Sequence, residues 1–285
     1  MKIWLLVFAF ALLAKEPLAQ RIAHSDASKY RKLRGVHAGA GELHYVGLFD
    51  AATFSTNFIF LHRGVIQPGG GIGHHFHNHM EEMFVILDGE AEFTIDGRTS
   101  VLKGPAGAPC RMGRSHAIYN PGTTPVEWMN IAVGSIKGKY DASDLGDDRV
   151  GVVKDPKPVF INMKLDRALL RAGAGGVMYR RALTPEVFFT NWSYVDHVLV
   201  PAGGAIPAHR HEGVEEFYYV MAGSGSVAVG AEAAAVAKGD AVPVFLNEVH
   251  SFKNTGTEPL EMMVVGVARQ KWAIDSVEVS GTAAR

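Results

Sequence analysis

The feature that most constrains this chain is a repeat at one fixed offset. His37-Ala-Gly-Ala-Gly41 recurs as Arg171-Ala-Gly-Ala-Gly175, and Phe54-Ser-Thr-Asn57 recurs as Phe188-Phe-Thr-Asn191. Gly69, His75, His77, Glu82, Gly89, His116 and Asn120 recur as Gly203, His209, His211, Glu216, Gly223, His250 and Asn254, every pair 134 positions apart. Lys103-Gly104 matches Lys238-Gly239 one position late, a slip made good before the last histidine. Chance does not repeat histidines and glutamates at one spacing, so the chain holds two copies of one module, about residues 37–133 and 171–267. The organisation expected is an amino-terminal segment 1–20, a first domain 21–133, a linker 134–170 and a second domain 171–285 that includes a carboxy-terminal tail. The linker is rich in Asp, Gly and Lys, with a short helix expected over Met163–Arg171.

Within each module the apolar runs are short and evenly spaced. Phe58–Leu61, Met83–Leu87, Ala91–Ile95 and Val126–Val133 are β-rich and separated by turn signals such as Asp88-Gly89 and Asp96-Gly97. Val195–Val200, Glu216–Met221, Ser226–Val229 and Leu260–Val267 repeat the pattern. Many short strands joined by hairpins mean an all-β sandwich or barrel. With 47% hydrophobic and 20% charged residues, the chain can bury a full core.

The 28 basic and 29 acidic residues leave a net charge of −1, without the basic excess of a nucleic-acid or anionic-membrane binder. A single cysteine, Cys110, excludes an internal disulfide framework and a thiolate cluster. Lys2 followed by the apolar run Ile3–Ala14 reads as a secretory leader and is too short for a membrane span. Ala19 suits the position before a cut, while Pro17 does not suit the position two before it. Export to the periplasm or medium is the expectation, a cytoplasmic chain with an extension the alternative.

The chemistry lies in the repeated histidines. His75 and His77 are two apart, so a strand presents both on one face. Glu82 opens the next strand and His116 lies on a later one. In a closed barrel these four converge, and His209, His211, Glu216 and His250 do the same in the second copy. Three imidazoles and a carboxylate without thiolate suit one divalent ion per domain: Fe, Mn, Ni, Cu, Co or Zn. The neighbours Glu81 and Glu215 turn to the other strand face and read as polar groups at the barrel mouth. Phe84, Ile86, Ile118, Val220 and Phe252 supply apolar walls. Tyr218, Arg111 and Arg114 are candidate substrate-binding groups, the arginines for a carboxylate. Met129, Met262 and Met263 read as core filler.

These residues carry a family resemblance. Gly69-x5-His75-x-His77-x4-Glu82-x6-Gly89 resembles the first cupin motif, and Arg111-x-Gly113-x2-His116-x3-Asn120 resembles the second, with Arg111 where the family usually has proline. The second copy keeps the first motif and reads Phe245-x-Asn247-x2-His250-x3-Asn254 for the second, departing at the proline and glycine positions. The resemblance implies a bicupin: two tandem antiparallel jelly-roll barrels about a pseudo-two-fold, often assembled into homo-oligomers. Bicupins include oxalate decarboxylases, quercetin- and gentisate-type dioxygenases and ureidoglycine aminohydrolases. The first carry an arginine three residues before the first ligand histidine, where this chain has Ile72 and Ile206. The last typically keep ligands in one module only.

The expectation is therefore a metal-dependent enzyme on a small organic acid, enol or aromatic, with a dioxygenase first. A Lewis-acid isomerase, hydrolase or decarboxylase is the alternative, and a non-catalytic binder stands third. An anionic substrate favours the first copy, whose ligands neighbour His74, His79, Glu81, Arg111 and Arg114, over the more acidic second with Arg210, Glu212, Glu215 and Glu248.

Overall fold

The computed structural model describes residues 16–147 and 151–279. Each module is a seven-stranded and a five-stranded sheet, and every pairing between named strands is antiparallel. In module 1 the large sheet is centred on Met80–Ile86 and Val126–Gly134, and the small sheet on Gly71–Phe76 and Ser115–Tyr119. In module 2 the matching strands are Val214–Ala222 and Leu260–Ala268, with Ala205–Arg210 and His250–Lys253 opposite. The two sheets of each module enclose an apolar core that includes Phe84, Phe93 and Trp128 in one and Val220, Phe252 and Met262 in the other.

Local sequence sets the turns. Asp96 and Gly97 both take positive φ, 50° and 75°, closing the hairpin between Glu90–Ile95 and Arg98–Lys103 as a two-residue turn requires. The motif asparagines staple the barrel: Asn120 donates to the carbonyls of Ile66 and Thr124, Asn254 to those of Val200 and Glu258. The departure at the family glycine leaves the turn intact. Asn247 adopts φ 63° where Gly113 adopts 73°, and asparagine tolerates that region. The Gly113 N–H donates to the His77 carbonyl and the Asn247 N–H to that of His211, both at 2.7 Å.

The modules are joined back to back by their large sheets. Phe49, Phe54 and Phe58 of module 1 interdigitate with Phe188, Trp192 and Phe217 of module 2. Here the reading of Glu81 and Glu215 needs correction. Both carboxylates are buried, at 0% and 3% exposure, at this interface and not at a barrel mouth. Glu81 accepts from the backbone N–H groups of Phe189 and Thr190 and from Thr190 Oγ1, at 2.6–3.0 Å. Glu215 accepts from the Thr56 N–H at 2.7 Å and from Ser55 Oγ at 3.0 Å. Strand alternation does turn them away from the metal face. The face they reach is covered by the other module.

The modules also exchange arms. Ala23–His24 pairs with Asp240–Val244 of module 2, and Met163–Lys164 pairs with Ala106–Cys110 of module 1. Each arm ends in a 3-10 turn capped by an aspartate, Asp26 or Asp166. The helix expected over Met163–Arg171 is thus replaced by strand pairing, a buried Leu165 and the turn Arg167–Leu169. The leader-like stretch 1–15 lies outside the described residues. Residues 16–20, grouped with it in the sequence reading, belong to the fold instead. Leu18, on the single helical turn Leu18–Arg21, is buried at 1% in the module 2 core, and its N–H donates to Glu232 at 2.6 Å. Arg21 pairs with Glu248 at 2.7 Å. Among the described residues no helix is long and apolar enough to cross a membrane.

Two substitutions test this architecture. Glu81→Ala leaves the buried Thr190 N–H and hydroxyl and the part-buried Phe189 N–H without their acceptor and should lower stability by about 2–3 kcal/mol, read from the denaturant midpoint; an unchanged midpoint means that the carboxylate does not clasp the modules. Leu18→Ala should cost about 2–3 kcal/mol for loss of a buried side chain, and no cost would mean that the arm does not pack on module 2.

Candidate metal centres

The strand registers bring together both ligand sets. His75 lies opposite His116 in the small sheet of module 1, and Glu82 faces them from the large sheet; His209 and His250 are paired likewise. In each set the ligand atoms lie within 4.8 Å of one another. In module 1, His116 Nε2 is 3.1 Å from His75 Nε2 and 3.2 Å from His77 Nε2, and His77 Nε2 is 2.7 Å from Glu82 Oε2. In module 2, Glu216 Oε2 is 3.1 Å from His211 Nε2 and 3.3 Å from His250 Nε2. Neighbouring ligands of one six-coordinate ion stand about 3 Å apart when the bonds are about 2.1 Å.

The hydrogen bonds fix which nitrogen is bare. Nδ1 of His75 donates to the Gly73 carbonyl at 2.7 Å, and Nδ1 of His209 to that of Pro207 at 2.9 Å. Nδ1 of His77 and His211 donate to the carbonyls of Asp141 and Asp275 in the segments that follow each barrel. Nδ1 of His250 donates to the Glu248 carbonyl at 3.0 Å. Each of these rings therefore turns Nε2 inward, the arrangement that prepares histidine for a metal. Inward nitrogens and a carboxylate crowded to about 3 Å form the donor set of a cation, and among the described residues His211 Nε2 is a buried atom without a hydrogen-bond partner. The residues present fit a divalent ion in both modules.

The electrostatics agree. Burial alone would raise the Glu82 carboxyl, but the imidazoles of His77, His116 and His75 outweigh it and hold it well below the usual range. Glu216 is held down in the same way by His211 and His250. Burial brings His75 and His209 down to about 4, so both are neutral at pH 7. Burial also pulls on His77 and His211, but Glu82 and Glu216 outweigh it and leave both raised.

The two cavities differ. That of module 1, about 310 Å³, reaches Glu82 and is walled by Phe60, Ile72 and Trp128 with His62, Asn130 and Tyr140. Asn130 Nδ2 donates to Glu82 Oε1. His62 lies flat on Phe60, centroids 4.2 Å apart, with no hydrogen-bond partner on its ring among the described residues, and burial lowers it to about 4. Over the ligands, His37 stacks on His75 at 3.8 Å and its Nδ1 meets Asp144 at 2.5 Å. That approach depends on Gly73, where a Cβ would collide with the His37 carbonyl oxygen. The module 2 cavity, about 280 Å³, carries more polar groups on its apolar wall: Arg181, Tyr194, Asp196 and Tyr218 beside Val177, Val198 and Ile206. Arg181 is bound to Asp196 by two hydrogen bonds of 3.0 and 3.1 Å. Tyr194 Oη donates to Glu216 Oε1 at 2.7 Å, and Tyr218 Oη lies 2.9 Å from Glu216 Oε2 and 3.1 Å from His250 Nε2.

Of the substrate candidates, Tyr218 is therefore in a site, whereas Arg111 and Arg114 line neither metal cavity. The Arg111 guanidinium lies 5.1 Å over the Phe189 ring of the other module, and Arg114 makes an exposed pair with Asp96 at 3.0 Å. Their loop precedes the His116 strand but points outward, so adjacency in sequence misleads. The charge argument for module 1 falls with them, since Glu248 is neutralised by Arg21 and Arg210 pairs with Glu212. His62, Asn130, Tyr140 and His37 escape the sequence reading. The repeat match of His62 to Asp196 is a signal, but using it needs the parity of the strand Phe58–Ile66.

Fold and site together define a two-barrel protein with a metal-binding cluster of three histidines and one glutamate in each barrel. The Cupin domain family matches residues 62–132 and again residues 196–266. The chain belongs to the cupin superfamily and is a bicupin. The mannose-1-phosphate guanylyltransferase of Klebsiella pneumoniae is 27% identical over 126 residues, 44% of this chain and 25% of that protein, so the chain spans about a quarter of such relatives. An oxalate-binding protein of Thermotoga maritima is 29% identical over 96 residues, 34% of this chain and 79% of that protein. The oxalate decarboxylase of Bacillus subtilis superposes with a TM-score of 0.63 at 16% identity, covering 90% of this chain and 78% of that one. The formate complex of the Lactobacillus farciminis oxalate decarboxylase gives 0.64 at 14%, covering 90% and 88%. At such identities the likeness is one of fold.

Metal analysis of untagged protein should find two divalent ions per chain, and one each in His77→Ala and His211→Ala; a fully loaded wild type with clearly fewer than two would refute the doubled site. Because the ligands bind only unprotonated, lowering the pH should release metal, beginning at the raised His77 and His211. Elemental analysis after dialysis at stepped pH reads this directly.

Proposed function

We propose that the chain is a metal-dependent enzyme whose chemistry takes place in module 1, on a small enol, aromatic or organic acid with an apolar body. The observation that carries this is the module 1 cavity: apolar walls, one imidazole with no hydrogen-bond partner among the described residues and an opening onto Glu82. Apolar pockets with a few placed polar groups are the usual make-up of a small-ligand site. Four protein ligands on a six-coordinate ion leave two positions for a chelating oxygen pair and, with a redox-active ion, for activating it toward dioxygen. Oxygenation is the reaction we favour.

The protein's own part is positioning. Phe60, Ile72 and Trp128 hold the apolar body and exclude water. Asn130 holds Glu82 by its outer oxygen, leaving Oε2 toward the ligand histidines. His62, neutral at pH 7, offers one donor and one acceptor to a substrate hydroxyl or carbonyl. A small dicarboxylate fits less well, because no lysine or arginine among the described residues lines this cavity and the Arg181 of the other is committed to Asp196. A Lewis-acid reading, isomerisation or decarboxylation, has one observation in its favour: His62 is placed to pass a proton without any redox step.

The test is oxygen uptake by metal-loaded protein offered β-diketones, catechols and related enols. Uptake matched to substrate loss is expected, retained in Glu216→Ala and lost in Glu82→Ala. Substrate loss without uptake transfers the assignment to Lewis-acid chemistry, and the reverse mutant pattern transfers it to module 2. His62→Ala should keep its metal and lose roughly 2- to 10-fold in kcat/KM, the effect of about 0.5–1.5 kcal/mol from one neutral hydrogen bond.

A further inference from the structure

At the second centre a group with no equivalent in the first, the hydroxyl of Tyr218, reaches the metal-facing atoms. The counterpart of Tyr218 in module 1 is Phe84, whose ring lies flat on His116 at 4.3 Å and 5°. In both modules one carboxylate oxygen is held from outside the metal cluster: Asn130 donates to Oε1 of Glu82, Tyr194 to Oε1 of Glu216. The other oxygen, Oε2, faces the histidines. A phenol that merely steadied the carboxylate would bond Oε1, as Tyr194 does. Tyr218 Oη instead lies 2.9 Å from Oε2 and 3.1 Å from His250 Nε2, two atoms that are themselves 3.3 Å apart.

Oη, Oε2 and Nε2 thus form a near-equilateral triangle with the edge lengths of neighbouring ligands on one ion. His250 Nδ1 donates to the Glu248 carbonyl, which leaves Nε2 as the nitrogen that faces Oη and Oε2. A cation capping this triangle would satisfy all three atoms.

We propose that Tyr218 is a fifth protein ligand of the module 2 ion, binding as phenolate. As the metal–oxygen bond forms, the phenol proton leaves to solvent, favoured by the cation's own charge, which reverses the local field of Glu216. A second hard anionic oxygen beside three imidazoles suits ferric iron better than the module 1 set does. With five positions filled by protein, a single position remains, too few for a chelating substrate. This inference is independent of the reaction proposed for module 1.

The experiment is to strip the protein of metal, load it with ferric iron and record visible absorption and resonance Raman spectra. Expected is a tyrosinate-to-iron charge-transfer band from one tyrosinate per chain. It should vanish in Tyr218→Phe, which installs the residue that module 1 already carries, and persist in Tyr194→Phe and in His77→Ala. Absence of the band in wild type, persistence of the band in Tyr218→Phe, or failure of His77→Ala to take up iron overturns the proposal. No turnover is read, so these outcomes leave the module 1 reaction untouched.

Discussion

Two adjacent carboxylates in each module organise the molecule. Because successive side chains on a strand point to opposite faces, Glu82 and Glu216 enter the barrels while Glu81 and Glu215 leave them. The inward pair holds the ligand histidines in register. The outward pair crosses to the other module and takes up backbone N–H groups that would otherwise be buried unpaired. A slip of one residue on either strand would exchange these roles and destroy a metal cluster and an interface together. Metal site and module docking are thus consequences of one register.

The ligands and the fold are legible in the sequence for a physical reason. Metal ligation demands particular residue types at strand spacing, and duplication wrote the pattern twice. The turn at Asn247 shows the same economy, since asparagine reaches the left-handed conformation that glycine provides in the first copy. What is not legible depends on what lies across space. Alternation turns Glu81 away from the metal, but nothing local says whether that face meets water or another module. Arg111 and Arg114 stand near His116 in sequence and are drawn outward by Phe189 and Asp96. His62 comes from a strand that is buried along nearly its whole length, so its pattern does not reveal which side faces the cavity.

The metal cavities show how one scaffold tunes two environments. In module 1 a wall of Phe60, Trp128 and Ile72 leaves a neutral imidazole with no hydrogen-bond partner among the described residues. In module 2 the places of Phe60 and Phe84 are taken by Tyr194 and Tyr218, whose hydroxyls both reach Glu216. Three exchanges, the third being His62 for Asp196, turn an apolar receptacle into a hydrogen-bonded one.

The exchanged arms carry a further implication. Each barrel completes its large sheet with a strand that belongs to the other half of the chain. A single module of this kind could meet that need only by pairing with an identical copy, arms crossed, in a closed dimer of two-fold symmetry. Such a dimer is bound to keep its two centres alike, because every substitution appears in both. Joining two copies in one polypeptide lifts that bond: the crossed arms hold the pair together as before, while Phe84 and Tyr218 can part ways. Fusion thereby frees each centre to diverge without loosening the clasp that holds the halves together.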